Sequence, residues 1–286
     1  MAAEAEVPPE LAIDTAIARR IIGEFIRAQL QQAGFQKALL GLSGGIDSAL
    51  VAYLVAEAIG PEKLLCISMP YRASSAESRT DAAAVVAALG CESVTIDISP
   101  AVDAYMGAAE RADASPVRRG NFMARMRMAV MYDQSVIWGG LVVGTGNKTE
   151  GLIGYTTLFG DSACAFAPIG DLYKSQVRQL AAEMGVPDAI LTKRPSADLW
   201  AGQTDEGELG IRYADLDRLL FWMIDRRRAP DELVELGFDA GLVERVVRMV
   251  ATSEFKRQVA PIAKLGPRTA GVDYLYPRRR PGSARS

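Results

Sequence analysis

The chain has 286 residues, and its 32 lysine and arginine residues nearly balance 35 aspartate and glutamate residues, giving a net charge of −3. This balance offers no general attraction for nucleic acid or an anionic membrane, so an anionic ligand must be held locally. Histidine is absent from the sequence, which removes the commonest general base and metal ligand. Carboxylates, lysine, arginine and bound metal must therefore carry any chemistry.

The cysteines and the ends of the chain indicate a reduced, cytoplasmic protein. Cys66, Cys91 and Cys164 are odd in number and widely spaced, which argues against a disulfide framework or a structural zinc site. Residues 1–9 lack the apolar core of a signal peptide and are expected to be a flexible tail. The most apolar stretch of the second quarter is interrupted by Asp133 and Gln134, so we expect no membrane span.

The organisation along the chain predicts one domain over residues 10–275. No internal repeat and no second composition divides it, and the basic residues 276–286 are expected to form a mobile tail, with nucleic-acid contact as the weaker alternative. Apolar spacing predicts helices at residues 10–33, 47–59, 75–90, 118–138 and 173–185 and from 211 onward, with strands near 38–42, 64–69, 93–99 and 141–145. This alternation predicts an α/β fold with a mostly parallel twisted sheet, helices on both faces and additional C-terminal helices. Residues 154–171 and 191–210 are predicted to be long loops, which in compact domains are usually functional or disordered.

The turn at residues 43–48 points to an anion-binding site. It joins a buried strand to a helix, and its glycines let the backbone approach a ligand where helix amides and the helix dipole favour negative charge. The sequence lacks the lysine of a Gly-Lys-Ser/Thr loop, and Gly41, Gly44 and Gly45 do not fit Gly-x-Gly-x-x-Gly. The alternative is an ordinary turn in which Asp47 or Ser48 caps the helix.

The stretch Ser43-Gly44-Gly45-Ile46-Asp47-Ser48 resembles the pyrophosphate loop of the ATP pyrophosphatases, which cleave ATP between its α and β phosphates. The resemblance implies that amides and hydroxyls hold the departing pyrophosphate and that Asp47 holds Mg²⁺. A second carboxylate, Glu150, follows the strand near 141–145. Asn147 and Glu150 alone could simply be a helix cap, but Asp47 and Glu150 together favour a magnesium site.

Four motifs extend the resemblance to one family, the NAD synthetases. They are GLSGGIDS, GNFMARMRM, VGTGNKTEGLIGY followed by FGD, and PSADLWAGQTDE continued by ELG; FKRQV at residues 255–259 also matches. The resemblance implies an adenine-nucleotide alpha-hydrolase-like fold and a homodimer. It implies amidation of nicotinic acid adenine dinucleotide (deamido-NAD) to NAD, through an acyl adenylate, with ATP and ammonia as the other substrates.

The resemblance also assigns residues. It implies that Asp47 and Lys174 are catalytic, that Asp47 and Glu150 bind Mg²⁺, and that Arg125 and Asp161 contact deamido-NAD. The implied ATP-binding residues are Gly41, Leu42, Ser43, Gly44, Gly45, Ile46, Asp47, Ser48, Thr145, Lys174 and Ser196. Without the resemblance, Lys174 could equally be a solvated lysine at a helix start, and Arg125 an exposed helix arginine.

Three positions depart from the bacterial family pattern. Leu158 replaces a lysine, Ala165 an aspartate and Phe255 a histidine that precedes the position of Lys256. These positions concern the dinucleotide, so its recognition could use Asp161 or backbone groups instead, and no role is assigned to Lys256.

Two other functions remain open from the residues. One is another ATP pyrophosphatase, such as a transfer RNA-modifying enzyme, although paired cysteines and a basic face are missing. The other is a non-catalytic nucleotide-binding module, which would need neither Glu150 nor Lys174.

Overall fold

A computed structural model describes residues 7–108, 115–196 and 204–270 of the protein. Its helices are α1 Thr15–Ala33, α2 Ile46–Ile59, α3 Ala76–Leu89, α4 Ser99–Ala108, α5 Pro116–Trp138, α6 Lys148–Ile153, α7 Lys174–Glu183, α8 Asp188–Thr192, α9 Asp205–Leu209, α10 Tyr213–Leu220, α11 Pro230–Glu235 and α12 Ala240–Thr252. The strands are β1 Lys37–Gly41, β2 Leu64–Ser68, β3 Glu92–Thr95 and β4 Gly140–Val142. Short 3₁₀ turns at Pro9–Leu11, Pro61–Lys63 and Glu254–Arg257 and a π-helical turn at Phe221–Asp225 complete the secondary structure.

The strands form one parallel sheet in the order β3-β2-β1-β4. The chain moves outward from β1 through β2 to β3 and then returns to the other side of β1. In open parallel sheets ligands bind at the carboxyl ends of the strands where the order reverses, which here is the crevice between β1 and β4. The loops after these two strands are residues 42–45 and 144–147.

Alternate side chains of the strands supply two separate cores. Ala38 and Leu40 pack with α1, α2 and α7 on one face, while Leu39 packs with α4 and α5 on the other. Successive strand residues point to opposite faces, so near-continuous apolar runs are the pattern expected for strands covered on both sides. The predicted α/β fold with helices on both faces is confirmed.

The later helices form a third apolar cluster, which includes Leu216, Leu219, Leu220, Leu233 and Val246. Leu11, from the turn before α1, also packs into this cluster. Within the part of the chain that the structure describes, every helix is too short or too polar to cross a bilayer.

Some predicted boundaries were wrong. The first helix begins at Thr15 rather than near residue 10, because Asp14 caps it by accepting a hydrogen bond from the Ile17 amide at 2.9 Å. Helix α4 was not predicted, and α9 lies in the stretch predicted to be a long loop. Residues 197–203 of that stretch, and the predicted tails at 1–6 and 271–286, lie outside the described residues.

Candidate active site at the carboxyl edge of the sheet

The loop after β1 is shaped by two serines that bond across it. The Ser48 hydroxyl accepts from the Ser43 amide at 3.2 Å and donates to the Gly45 carbonyl at 3.0 Å, and the two serine oxygens lie 3.0 Å apart. Gly45 is the N-cap of α2 and has no side chain to bond the first amides of the helix. Those amides lack acceptors within the helix, so they suit an anion. The alternative in which Asp47 or Ser48 is the cap was wrong.

Gly44 is required by both conformation and space. Its φ of +79° lies in the left-handed region, and an added Cβ would overlap the carbonyl oxygen of Ser78. The loop therefore sits directly against the start of α3, and a larger residue at this position would displace it.

Asp47, Glu150 and Lys174 meet beside this loop. The Lys174 ammonium donates to Asp47 Oδ2 at 2.5 Å and to Glu150 Oε1 at 3.2 Å. Lys174 is only 2 % exposed, so the alternative of a solvated lysine was wrong. A buried ammonium requires paired counter-charges, and the two carboxylates supply them.

Asn147 links the cap of α6 to this cluster. Its Oδ1 accepts from the Glu150 amide at 3.0 Å, and Glu150 Oε2 accepts from the Asn147 amide at 3.3 Å, which together form a capping box. The same Asn147 side chain donates from Nδ2 to Asp47 Oδ1 at 2.8 Å. The cap and the contact with the ionic cluster therefore coexist, and the cap fixes the direction of both carboxylates.

The ionisation of the cluster reflects this burial. Burial, opposed by the Lys174 ammonium and reinforced by the Asp47 charge, raises the pKa of Glu150 to about 7. Burial alone would lower the pKa of Lys174, but Asp47 and Glu150 outweigh it and raise that pKa. The lysine is therefore held as a cation.

An aromatic and acidic group covers the other side of Lys174. The Tyr213 ring lies 5.1 Å from the ammonium, and its hydroxyl donates to Asp205 Oδ2 at 3.2 Å. Tyr155 donates to the other Asp205 oxygen, also at 3.2 Å. Asp205 is 4 % exposed, and burial raises its pKa. This wall ties α9 and α10 to the site.

The remaining residues predicted to bind ATP lie at the same edge or at the limit of the described chain. Thr145 lies in the loop between β4 and α6, two residues before Asn147. Ser196 is exposed and directly precedes residues 197–203, which lie outside the described residues. The Asp205 amide donates to the Pro195 carbonyl at 3.0 Å, which brings the two sides of that gap together.

Asp161 lies in the loop that follows α6, and Arg125 on α5 contacts the same loop. The Arg125 guanidinium donates to the Leu158 carbonyl at 3.3 Å, and Asp161 accepts from the Thr157 amide at 2.7 Å. Lys256 donates to the carbonyls of Gly154 and Thr156, both at 2.7 Å. The structure thus brings Arg125 and Asp161 to the same loop, but records no contact from either to Asp47, Glu150 or Lys174 among the described residues. Arg125 is exposed on α5.

The donor set fits a hard divalent cation. Within the described ranges, no group of three or more acidic, cysteine or histidine side chains has metal-binding geometry. Asp47 and Glu150 lie within reach of one ammonium, and Mg²⁺ is commonly bound by one or two carboxylates with phosphate and water completing its shell. These two residues could therefore hold Mg²⁺ together with a bound phosphate.

The parallel sheet, the phosphate-suited loop and the carboxylate pair at a reversal of strand order define an α/β nucleotide-dependent enzyme. The family model for NAD synthase matches residues 18–260. The chain belongs to the NAD synthase family.

Relatives agree with this assignment. The chain is 51 % identical over 268 residues to the NH(3)-dependent NAD(+) synthetase of Trichlorobacter lovleyi, covering 94 % of this chain and 97 % of that one. The NH3-dependent NAD synthetase of Campylobacter jejuni, solved in complex with nitrate ion, superposes with a TM-score of 0.75 at 32 % identity, covering 88 % of this chain and 100 % of the other. An NMN synthetase from Francisella tularensis superposes with a TM-score of 0.78 at 30 % identity, covering 88 % and 99 %.

Several site residues were missed from the sequence. Tyr213 contacts Lys174 and Asp205, but the two residues lie 39 and 31 positions after Lys174 in the sequence, so local spacing could not indicate these contacts. Asn147 was recognised as a cap, but its bond to Asp47 spans 100 residues. The available signals were that Asp205 lies within the motif PSADLWAGQTDE and that Tyr213 lies three residues after ELG.

Proposed function

We propose that this protein is an ammonia-dependent NAD synthetase, a ligase that amidates deamido-NAD with the cleavage of ATP to AMP and pyrophosphate. One observation carries the proposal: in a chain of the NAD synthase family, Asp47, Glu150 and Lys174 meet beside the loop of residues 43–48. Relatives that match nearly the whole chain are named as NH(3)-dependent enzymes, which supports ammonia as the nitrogen donor.

The chemistry explains why ATP is needed. A carboxylate resists attack by ammonia because the leaving group would be an oxide. A carboxylate oxygen of deamido-NAD therefore attacks the α phosphorus, the bond to the bridging oxygen breaks, and pyrophosphate leaves. Ammonia then attacks the acyl carbon, AMP leaves, and the excess proton passes to solvent or a nearby base.

The chain's own groups act mainly by electrostatics and positioning. The amides and hydroxyls of residues 41–48 would hold the β and γ phosphates, while Thr145 and Ser196 would contact the nucleotide. Lys174 would place its ammonium against the triphosphate as negative charge moves onto the leaving group, which is preorganised stabilisation without histidine.

Asp47 and Glu150 would hold Mg²⁺ against the phosphates. Bound there, the ion would neutralise charge on the leaving pyrophosphate. Asn147 keeps both carboxylates directed toward this position, because it bonds to each of them.

Arg125 and Asp161 would recognise deamido-NAD. A guanidinium suits a phosphate or carboxylate because it can bind in a bidentate manner. Leu158, Ala165 and Phe255 replace the lysine, aspartate and histidine of the family pattern, and the backbone carbonyl of Leu158 accepts a hydrogen bond from Arg125. Recognition through the backbone of this loop is consistent with that bond.

The test is direct detection of product. Protein, ATP, Mg²⁺, ammonium and deamido-NAD are mixed, and NAD and AMP are measured by mass spectrometry; equal amounts of both are expected. Nicotinic acid mononucleotide is a parallel substrate, because one structural relative is an NMN synthetase. Release of ADP alone, or AMP formed only with transfer RNA, would contradict the proposal.

A further inference from the structure

Asp217, on α10, is a buried carboxylate that accepts three hydrogen bonds from two residues distant in sequence, Thr149 and Ser175. It is 0 % exposed. Its Oδ1 accepts from the Thr149 hydroxyl at 2.6 Å, and its Oδ2 accepts from the Ser175 amide at 2.7 Å and the Ser175 hydroxyl at 2.6 Å. One side chain of α10 thus joins α6 to α7.

These bonds replace a missing helix cap. The N-cap of α7 is Tyr173, whose side chain makes no capping bond. The first two amides of the helix are instead satisfied from other elements: Lys174 donates to Thr149 Oγ1 at 3.0 Å and Ser175 to Asp217. The negative charge of a carboxylate at a helix N-terminus also interacts favourably with the helix dipole.

The bonded residues are chain neighbours of the ionic cluster. Thr149 immediately precedes Glu150, and Ser175 immediately follows Lys174. Tyr213, one helical turn before Asp217 on α10, lies over the Lys174 ammonium. The same helix therefore fixes the backbone of Lys174 through Asp217 and contacts its side chain through Tyr213.

We propose that Asp217 is a positioning residue that sets the placement of Lys174 and Glu150 against Asp47. This inference rests on the proposed function, in which Lys174 and Glu150 act on ATP and Mg²⁺. A shift of about 1 Å in such groups can cost about 100-fold in rate. A residue that only tied the helices together would change stability but not the rate per folded molecule.

The first experiment uses variants that alter the bonds between Asp217, Thr149 and the start of α7. Asp217→Asn keeps the size of the side chain but turns an N–H toward a donor, either Thr149 or Ser175. Thr149→Val removes the hydroxyl at nearly constant shape, and Thr149→Ser restores it. Leu233→Ala is the control, because Leu233 lies buried in the same helical cluster and makes no polar side-chain contact.

We expect Asp217→Asn and Thr149→Val to lower kcat by about 10- to 100-fold with little change in the KM for ammonium. Thr149→Ser should restore kcat to within about threefold of the wild type. Leu233→Ala should lower Tm while kcat per folded molecule stays unchanged. Wild-type kcat in both Asp217→Asn and Thr149→Val, with only Tm lowered, would overturn the proposal. If Asp217→Asn does not fold, the Thr149 pair decides.

A second experiment separates this proposal from the proposed function. Asp217→Asn is combined with Lys174→Met, and the Kd for ATP is measured by calorimetry with Mg²⁺ present. We expect Asp217→Asn to weaken ATP binding when Lys174 is present but to change it by less than about twofold when Lys174 is absent. Equal effects in both backgrounds would overturn the positioning role. This cycle needs no NAD formation, so it gives a result even if the proposed reaction fails.

Discussion

At the scale of single residues, the burial of Lys174 fixes both the charge and the orientation of its ammonium group. Removing an ammonium from water costs several kcal/mol, and the protein offsets this with two carboxylates and an aromatic ring. A cation placed in this way keeps its charge and its direction, because few other conformations satisfy it. It is therefore suited to stabilise phosphate charge during a reaction.

Replacing Lys174 by methionine should lower the kcat for NAD formation by at least about 100-fold, because charge stabilisation at the leaving group is lost. Arginine should not restore the activity, since the planar guanidinium does not fit a buried site built for one ammonium. Lys148→Met is the matched control: Lys148 also pairs with two carboxylates, Asp171 and Asp225, but not with the cluster at Asp47. Equal loss in both variants would contradict the assigned role.

Replacing Asp47 by asparagine tests the cation site. The variant keeps the shape but removes a charged oxygen ligand, so we expect kcat to fall by at least about 100-fold and the requirement for Mg²⁺ to rise. The measurement is the initial rate of NAD formation as a function of Mg²⁺ concentration, with a chelator-treated sample as the metal-free reference. Activity within a few-fold of the wild type at saturating magnesium would show that Asp47 does not hold the ion.

At the scale of elements, the loop between β1 and α2 depends on the contact between Gly44 and α3. Gly44→Ala should abolish ATP binding, because the methyl group must push the loop away from the Ser78 carbonyl. Gly90→Ala is the control: Gly90 also has a positive φ, of +65°, but an added Cβ there meets no atom within 4 Å. Backbone strain should cost both variants about 1–2 kcal/mol of unfolding free energy, and Gly44→Ala should lose more because its methyl group also overlaps the Ser78 carbonyl. ATP affinity should separate them, and equal ATP affinity would contradict this account of the loop.

The elements that could be predicted from sequence are those with local signals. The strands β1 and β2 are short apolar runs, Gly34 ends α1 with a φ of +80°, and Asn147 caps α6. Helices α4 and α9 were missed because they are short and have weak apolar periodicity. The bonds of Asp217 to Ser175 and Thr149 could not be predicted, since these residues lie 42 and 68 positions away in the sequence and no motif links them to Asp217.

At the scale of the whole molecule, α5 presents apolar side chains that the described residues leave exposed. Val136 is 82 % and Ile137 73 % exposed, and Tyr132 lies one turn before Val136. Arg125 lies on the same helix. These features support the predicted homodimer, in which deamido-NAD would bind near the interface between two copies.

The dimer has a direct test. We expect sedimentation equilibrium to give twice the chain mass of 30.7 kDa. Ile137→Asp should shift the protein toward monomer and weaken binding of deamido-NAD, because a buried charge opposes association. Leu236→Asp, at an exposed apolar residue on the C-terminal side of α11, is the control and should leave the mass unchanged. A monomeric wild type would refute the prediction.

The cysteines show that the spacing of residues in the sequence does not reveal which of them lie close together in the fold. Cys66 on β2 and Cys91 just before β3 are 25 residues apart, yet their sulfurs lie 3.7 Å apart because the two strands pair in parallel. Both are free and buried, as expected for reduced cysteines, whereas Cys164 is partly exposed. Sequence distance therefore says little about proximity once strands pair in register.

The contact between Asp47 and Lys174 joins residues 127 positions apart. On the ribosome the N-terminal residue of this pair emerges first, and synthesis at about 5–20 residues per second separates the two by roughly 10 s. During that interval the nascent chain carries the phosphate loop without the lysine. The ion pair between Asp47 and Lys174, and with it the complete ionic cluster, can therefore form only after the lysine has been synthesised.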